Sequence, residues 1–366
     1  MLGKPILRNE ILPLTGIRAA AAIWVVLYHM KSQLLLAYPT LSFLINPLVS
    51  NGYLGVDLFF ILSGFVIHYN YWNRINLLRM SSVLEFLWMR LARLWPVHAV
   101  ILTVFMFFLW IQHAIGIEPR NPTLYSGPDL IRNLLLVHSW AIPLKTSWNV
   151  PAWSISCEWL AYIFYPILTI SGFRHMAARN SAAICAIILC ATVLVLQVLK
   201  ADGNTNFGMI RIIGEFTAGS FLCRIYRDKY ACGWPWQYIV PLLIFTIFAG
   251  SYYVLPNFDL VPYWSLPLIG LVVLGLAYER CHVSRIFSSK PFLFGGYISY
   301  SFYMVHELIL IVMQRANGYL SSRIIPIVDL AAVLVAAIIL YKYVEEPSRK
   351  AMRKLFPLYA QRHRLS

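Results

Sequence analysis

Long apolar stretches recur along the chain, broken by short polar segments that carry Pro, Gly and Asn. Ten of them approach the roughly 20 residues that a helix needs to cross a hydrocarbon core. They cover 11–31, 52–72, 94–114, 152–172, 181–199, 208–226, 236–254, 263–279, 293–314 and 326–345. The pattern predicts an all-α integral membrane protein, a bundle of about ten transmembrane helices. Leu130–Trp140 is apolar but too short to span, and reads as a re-entrant or interfacial piece of a long loop over 115–151. Pro119, Asn121, Pro122, Gly127 and Pro128 mark that loop as non-helical. The first run contains Arg18 and has no small-residue cleavage site, so it reads as a membrane helix and not as a signal peptide. The pattern shows no repeats and no soluble domain. A single transmembrane domain over 1–366 is expected.

Lys and Arg orient the bundle. With the N-terminus inside, one set of segments holds Lys4, Arg8, Arg74, Arg79, Arg90, Arg93, Arg174, Arg179, Arg224, Arg227, Lys229, Arg280, Arg285, Lys290 and six more after Pro347, twenty in all. The other set holds Lys31, Arg120, Arg132, Lys145, Lys200, Arg315 and Arg323, which is seven. The positive-inside bias therefore predicts both termini in the cytoplasm, the loop 115–151 outside, and a basic cytoplasmic tail over 346–366.

Composition agrees. The chain has 366 residues, 60% hydrophobic and 12% charged, with a mean hydropathy of +0.67 and a net charge of +15. Soluble domains are about 45–50% apolar and about 25% charged. Because the positive charge falls between apolar runs, topology explains it better than nucleic-acid binding does. The six cysteines show neither metal-ligand spacing nor a disulfide framework, and no metal is expected.

Ionisable groups inside membrane helices are costly and mark candidate sites. Arg18 and His29 are eleven positions apart on the first helix, about 20° from a whole number of turns, so they share a face. They are separated by about 16 Å along the axis, with Arg18 in the inner half and His29 in the outer half. Asp57 and Glu158 fall at similar depth to His29. Either would suit an orienting carboxylate that fixes the histidine tautomer and stabilises its cation. Asp57 also suits a helix cap. Arg90 and Arg93, three apart, read either as positive-inside anchors or as an anion clamp. Arg211 and Glu215, four apart, read as a neutralising pair. His306 reads as a site residue or as packing. The inner half thus offers arginines to an anionic donor, and the outer half offers a histidine to an acceptor.

These residues fall in motifs that together resemble the acyltransferase-3 family of integral membrane acyltransferases. Leu14-Thr-Gly-Ile-Arg18 through Leu27-Tyr28-His29 resembles its opening motif, and Gly55-Val-Asp57-Leu-Phe-Phe-Ile-Leu-Ser63-Gly64-Phe65 its second. Arg90-Leu-Ala-Arg93-Leu-Trp-Pro96 is similar to its Arg-x-x-Arg motif. Trp153-Ser154 with Glu158, then Ser299-Tyr-Ser-Phe-Tyr-Met-Val-His306, then Val344-Glu345-Glu346-Pro347-Ser-Arg349 complete the order.

The resemblance implies O-acyl transfer from cytoplasmic acyl-CoA, usually acetyl-CoA, to a hydroxyl of an extracytoplasmic acceptor. That acceptor would be an exopolysaccharide, O-antigen, or related or lipid-linked glycan, at a bacterial inner membrane. It carries the essential histidine over to His29 and the donor-binding arginines to Arg90 and Arg93, with Arg18 beside them. His29 is then the general base, or alternatively a transient acyl carrier, with Glu158 or Asp57 as its orienting carboxylate. Trp153, Asn149, Ser154, Arg211 and His306 are the candidate acceptor-binding residues. Trp140, Trp148 and Trp153 suit either sugar stacking or the interfacial aromatic belt. Many relatives carry a C-terminal SGNH hydrolase-like domain. None is visible here, and a stand-alone transferase is expected. The rival reading is a polytopic exporter of a polar solute or lipid-linked glycan.

Overall fold

The structure is a computed structural model that describes residues 10–75, 79–119, 121–141, 146–169, 176–199, 207–253, 262–316 and 321–355. Several basic residues used above to orient the bundle, among them Lys4, Arg8, Arg120, Lys145, Arg174 and Lys200, lie outside this set. So do residues 356–366 of the expected tail. The described residues are mostly helical, with no strand among them.

The predicted apolar runs emerge as helices. They include α1 (Leu12–His29), α4 (Leu54–Tyr71), α5 (Met80–Ala114), α7 (Trp153–Phe164), α8 (Ala178–Val198) and α9 (Gly208–Arg227). The series continues with α10 (Trp236–Tyr253), α11 (Leu266–Ala277), α13 (Lys290–Ala316) and α14 (Ile325–Leu340). Six spans among the described residues are long and apolar enough to cross a membrane. The other four fall short for local reasons. Helix α9 carries Arg211 and Glu215, α7 gives way after twelve residues to a 3₁₀ turn at Tyr165–Thr169, and α10 and α11 are short as apolar segments.

Three features depart from the expected pattern. The link between the first two spans is not a simple loop but a pair of short helices, α2 (Lys31–Ala37) and α3 (Ser42–Ser50). The loop 115–151 contains a true helix, α6 (Gly127–Leu134), started by Ser126, whose hydroxyl accepts from the Asp129 amide. Helix α5 begins fourteen residues before the expected 94 and runs for 35 residues, about 52 Å. It is therefore far longer than a hydrocarbon core of ~30 Å, and Arg90 and Arg93 sit inside the helix instead of at its end. The short helices α12 (His282–Phe287) and α15 (Glu346–Leu355) complete the chain. A π turn at Tyr341–Glu345 joins α14 to α15.

The spans that contain α4 (Pro39–Tyr71) and α13 are the more central, with 72% and 67% of their most apolar stretch buried, whereas α8 and the span that contains α14 (Ile325–Leu355) are peripheral at 28% and 22%. Small residues allow the close crossings. A Cβ on Gly64 of α4 would stand 1.9 Å from the Phe216 carbonyl oxygen of α9, and one on Gly219 of α9 would stand 2.1 Å from the Ile61 carbonyl oxygen of α4. Helix α1 separates two apolar cores. Ala22, Val25 and Val26 face one, built with α5, α7 and α13, while Leu14, Ile17 and Ala21 face the other, built with α8 to α11.

Candidate functional site

Arg18 of α1, Arg90 and Arg93 of α5, Ser63 of α4, Glu158 and Tyr162 of α7, and Tyr300 and Tyr303 of α13 line one cavity of about 780 Å³. The arginines therefore converge, as the spacing within α1 and α5 allowed. Arg90 Nη2 donates to Tyr71 Oη at 2.8 Å and stands 4.9 Å from the centre of that ring. Arg93 Nη1 lies 3.7 Å from Glu345 Oε1, on the π turn, and its guanidinium is 5.8 Å from the Tyr300 ring centre. Glu345 in turn accepts from Ser301 Oγ at 2.7 Å. Arg18 makes no ion pair or hydrogen bond among the described residues.

Glu158 belongs to this cavity and not to His29. It accepts from Ser63 Oγ at 2.6 Å and from the Tyr162 hydroxyl. Asp57 is also placed elsewhere. Its Oδ1 lies 2.7 Å from Arg211 Nη2 and 2.9 Å from Arg211 Nε, in a fully buried pair. Glu215 stands 4.0 Å from the same guanidinium, so Arg211 bonds first to Asp57 and only second to its i,i+4 neighbour. The register that brings α4 against α9 at Gly64 and Gly219 decides this. It carries Asp57 towards Arg211, a contact that depth along the membrane alone does not predict. Neither expected orienting carboxylate faces His29.

The carboxylate that does is Glu307 of α13. His29 Nδ1 is 3.8 Å from Glu307 Oε2, and the two side chains keep 28% and 23% of their surface accessible. His306 packs against His29, with ring centres 4.8 Å apart. The Nδ1 of His306 bonds to the Tyr303 carbonyl oxygen, which makes it the protonated nitrogen, and Nε2 is buried without a hydrogen-bond partner. A nitrogen from each histidine and an oxygen of Glu307 lie within 4.8 Å of one another. His306 is thus brought beside His29. Glu307, missed by sequence reasoning, follows it directly. The missing signal was periodic: Ser299, Tyr300, Tyr303 and Glu307 repeat at helical spacing and place polar groups along one stripe of α13.

Tyr303 stands between the two halves. Its ring lines the arginine cavity and lies 5.6 Å from the His306 ring, and its hydroxyl meets Ser154 Oγ at 2.8 Å. Ser154 is therefore at the wall of the arginine cavity. Asn149 and Trp153 have structural partners. The Asn149 amide donates to the Met304 carbonyl at 3.0 Å, and Trp153 lies under the Arg211 guanidinium at 5.2 Å. Beyond Glu307 is a separate cavity of about 790 Å³, lined by Gln112, Asn121, Tyr125, Trp148 and Gln314. Trp148 holds a left-handed backbone, φ 56°, and packs edge-on to Tyr125 at 5.7 Å. A bulky residue in that region marks a locally constrained position, of the kind that clusters at binding sites. Both indoles are tied to backbone carbonyls, Trp148 to that of Ser126 at 3.0 Å and Trp140 to that of Ser156 at 2.9 Å.

A family model described as an acyltransferase domain matches residues 12–341, from the start of α1 to the π turn. The chain belongs to this acyltransferase family. The acyltransferase is 27% identical to Acyltransferase MdmB of Streptomyces mycarofaciens, over 94% of this chain and 93% of that protein. It is 26% identical to O-acetyltransferase OatA of Staphylococcus aureus over 94% of this chain, but spans only 58% of that longer relative. No solved structure matches the acyltransferase. Its apolar helices and its family make it a multi-pass membrane protein.

Proposed function

We propose that the protein is a membrane O-acyltransferase. It takes an acyl group, acetyl foremost, from cytoplasmic acyl-CoA and places it on a hydroxyl of a carbohydrate outside a bacterial cytoplasmic membrane. One observation carries this reading. Tyr303 lines the cavity that holds Arg18, Arg90 and Arg93 and packs against His306 of the His29–His306–Glu307 cluster, and Glu307 lines a second, aromatic cavity. The chain crosses ten times in this reading, with both ends inside. The arginine cavity then opens to the cytoplasm and the Trp148 cavity to the outside.

The chain's residues divide the work. The arginines hold the anionic part of CoA by charge-assisted, fork-shaped bonds. The thioester reaches past Tyr303 towards His29. The acceptor sugar enters by Tyr125 and Trp148, flat faces suited to the apolar side of a sugar ring. His29 takes the proton of the acceptor hydroxyl as its oxygen attacks the thioester carbonyl. Glu307 stabilises the imidazolium so formed. Collapse of the tetrahedral intermediate breaks the C–S bond, and the proton passes from His29 to the departing sulfur. The products are an O-ester and free CoA.

Sealed membrane vesicles test the assignment. Acetyl-CoA on the cytoplasmic face and a carbohydrate acceptor on the other should give free CoA thiol and acetyl ester in equal amounts. Movement of acceptor without thiol release would instead identify an exporter.

A further inference from the structure

A third polar cavity, of about 570 Å³, adjoins the arginine cavity, and Arg18 and Arg93 line both. Its remaining walls carry Arg349 and Arg353 of α15, with Tyr297 of α13 and Tyr341 of the π turn. Arg349 and Arg353 are one helical turn apart and share a face of α15. Lys350 is turned to another face, where it pairs with Glu346 at 2.6 Å. Four guanidinium groups thus line a cavity whose one acidic lining residue is Glu10. Glu10 is already engaged, accepting from Thr15 Oγ1 at 2.6 Å and Tyr297 Oη at 3.2 Å. Arg93 also faces Glu345 at 3.7 Å, and with that acid counted the arginines still outnumber the carboxylates around the cavity, which suits a ligand with more than one phosphate.

Charge and wall chemistry set the direction of that ligand. Past the arginines, the larger cavity is walled by Phe59, Phe60 and Tyr303, which suits an uncharged arm running to the histidines. Arg18 and Arg93, shared by both cavities, stand where a pyrophosphate would pass. What lies beyond them must take the nucleotide end. A 3′-phosphate monoester carries about −1.5 to −2 charge at neutral pH, and two guanidinium forks one turn apart match it well. Tyr297 and Tyr341 offer ring faces to a base, which stacks on aromatic side chains whatever its identity.

We infer that this cavity is the subsite for the adenosine 3′-phosphate of CoA. Arg349 and Arg353 hold the 3′-phosphate, and Tyr297 and Tyr341 flank the adenine. The inference rests on the reading of the chain as a CoA-dependent acyltransferase, and it assigns the basic turn after Pro347 to donor selection instead of membrane anchoring.

The test compares acetyl-CoA with 3′-dephospho-acetyl-CoA in the full-length protein and in its Arg349→Gln and Arg353→Gln variants. In the wild type, removal of the 3′-phosphate should raise the apparent KM roughly tenfold or more, the range for one lost charged hydrogen-bond partner. Each variant should raise the KM for acetyl-CoA by a similar factor and leave the KM for the dephospho donor near its wild-type value. Binding is read separately by thermal shift: 3′,5′-ADP should stabilise the wild type more than 5′-ADP does, and the variants should lose that difference. Equal effects of a substitution on both donors, or no effect on either, overturn the subsite. So does a KM effect seen in vesicles containing phosphatidylglycerol but not in uncharged detergent, because the arginines would then be holding lipid headgroups. If the wild type transfers acetyl from neither donor, yet 3′,5′-ADP selectively stabilises it and not the variants, the subsite stands and the acyl-transfer reading falls.

Discussion

At His29 the nearest acidic oxygen belongs to Glu307, 3.8 Å from Nδ1, just beyond hydrogen-bond range and within reach of a small side-chain shift. His29→Ala should lower the rate by about 10²- to 10⁴-fold, the usual worth of a positioned general base, while the protein still inserts. Wild-type ester formation by a normally expressed variant would remove His29 from the mechanism. Glu307→Gln should cost about 10- to 100-fold in kcat, whereas Asp57→Asn should act on folded yield, because Asp57 bonds to buried Arg211. A larger kcat loss for Asp57→Asn than for Glu307→Gln, at equal yield, would reverse the two roles. Arg90→Ala and Arg93→Ala should raise the KM for acyl-CoA and leave that for acceptor unchanged, and the opposite split would move the donor to the other cavity. The His29, His306 and Glu307 donor atoms spread up to 4.8 Å, wider than a zinc ion with bonds of ~2.0–2.2 Å can bridge without rearrangement. Exhaustive chelation should leave the rate unchanged, and a loss restored by added zinc would put a metal among these residues.

Helices position these groups through two devices. The first is the polar stripe of α13, which presents Tyr300 and Tyr303 to the arginine cavity and Glu307 to the Trp148 cavity. The second is close crossing at glycine, which fixes how far α4 slides along α9. At Gly64 the neighbouring atoms are backbone, so the crossing cannot relax by turning a side chain. Gly64→Ala should therefore destabilise the protein by about 1–3 kcal/mol, seen as a lower Tm in detergent, whereas Gly127→Ala, with nothing within 4 Å, should be neutral. Equal melting of the two variants would mean that α4 and α9 do not depend on this contact. The extension of α5 has a simpler cause. Its added residues, Met80 to Arg93, alternate polar and apolar groups too closely for a span but are good helix formers, so the helix continues past the hydrocarbon core.

For the whole molecule, the proposed mechanism requires that the two cavities open to opposite sides. Thr123, in the segment beside the Trp148 cavity, and Ser81, at the start of α5, are both exposed. In a background with Cys190 and Cys232 replaced by Ser, Thr123→Cys should react with a membrane-impermeant maleimide in intact spheroplasts. Ser81→Cys should react only after permeabilisation. The reverse labelling would put His29 at the cytoplasmic face and end the transmembrane reading.

The sequence by itself determined the membrane class, the succession of helices, and the presence of Arg18, His29, Arg90, Arg93 and His306 as candidate chemistry. Hydropathy acts over one contiguous segment, and the placing of Arg18 and His29 on one face needs only the helical repeat. Which carboxylate serves which partner was decided by tertiary structure. Asp57, Glu158 and Glu307 are all acids in membrane helices at plausible depth, and periodicity does not rank them. Rotation and sliding of α4 against α9, and of α13 against α1, gave Asp57 to Arg211, Glu158 to Ser63 and Tyr162, and Glu307 to His29. Side chains reach only a few ångströms, so a contact between helices depends on interhelical register. That register is set by backbone approaches such as Gly64 on Phe216, which no single helix encodes.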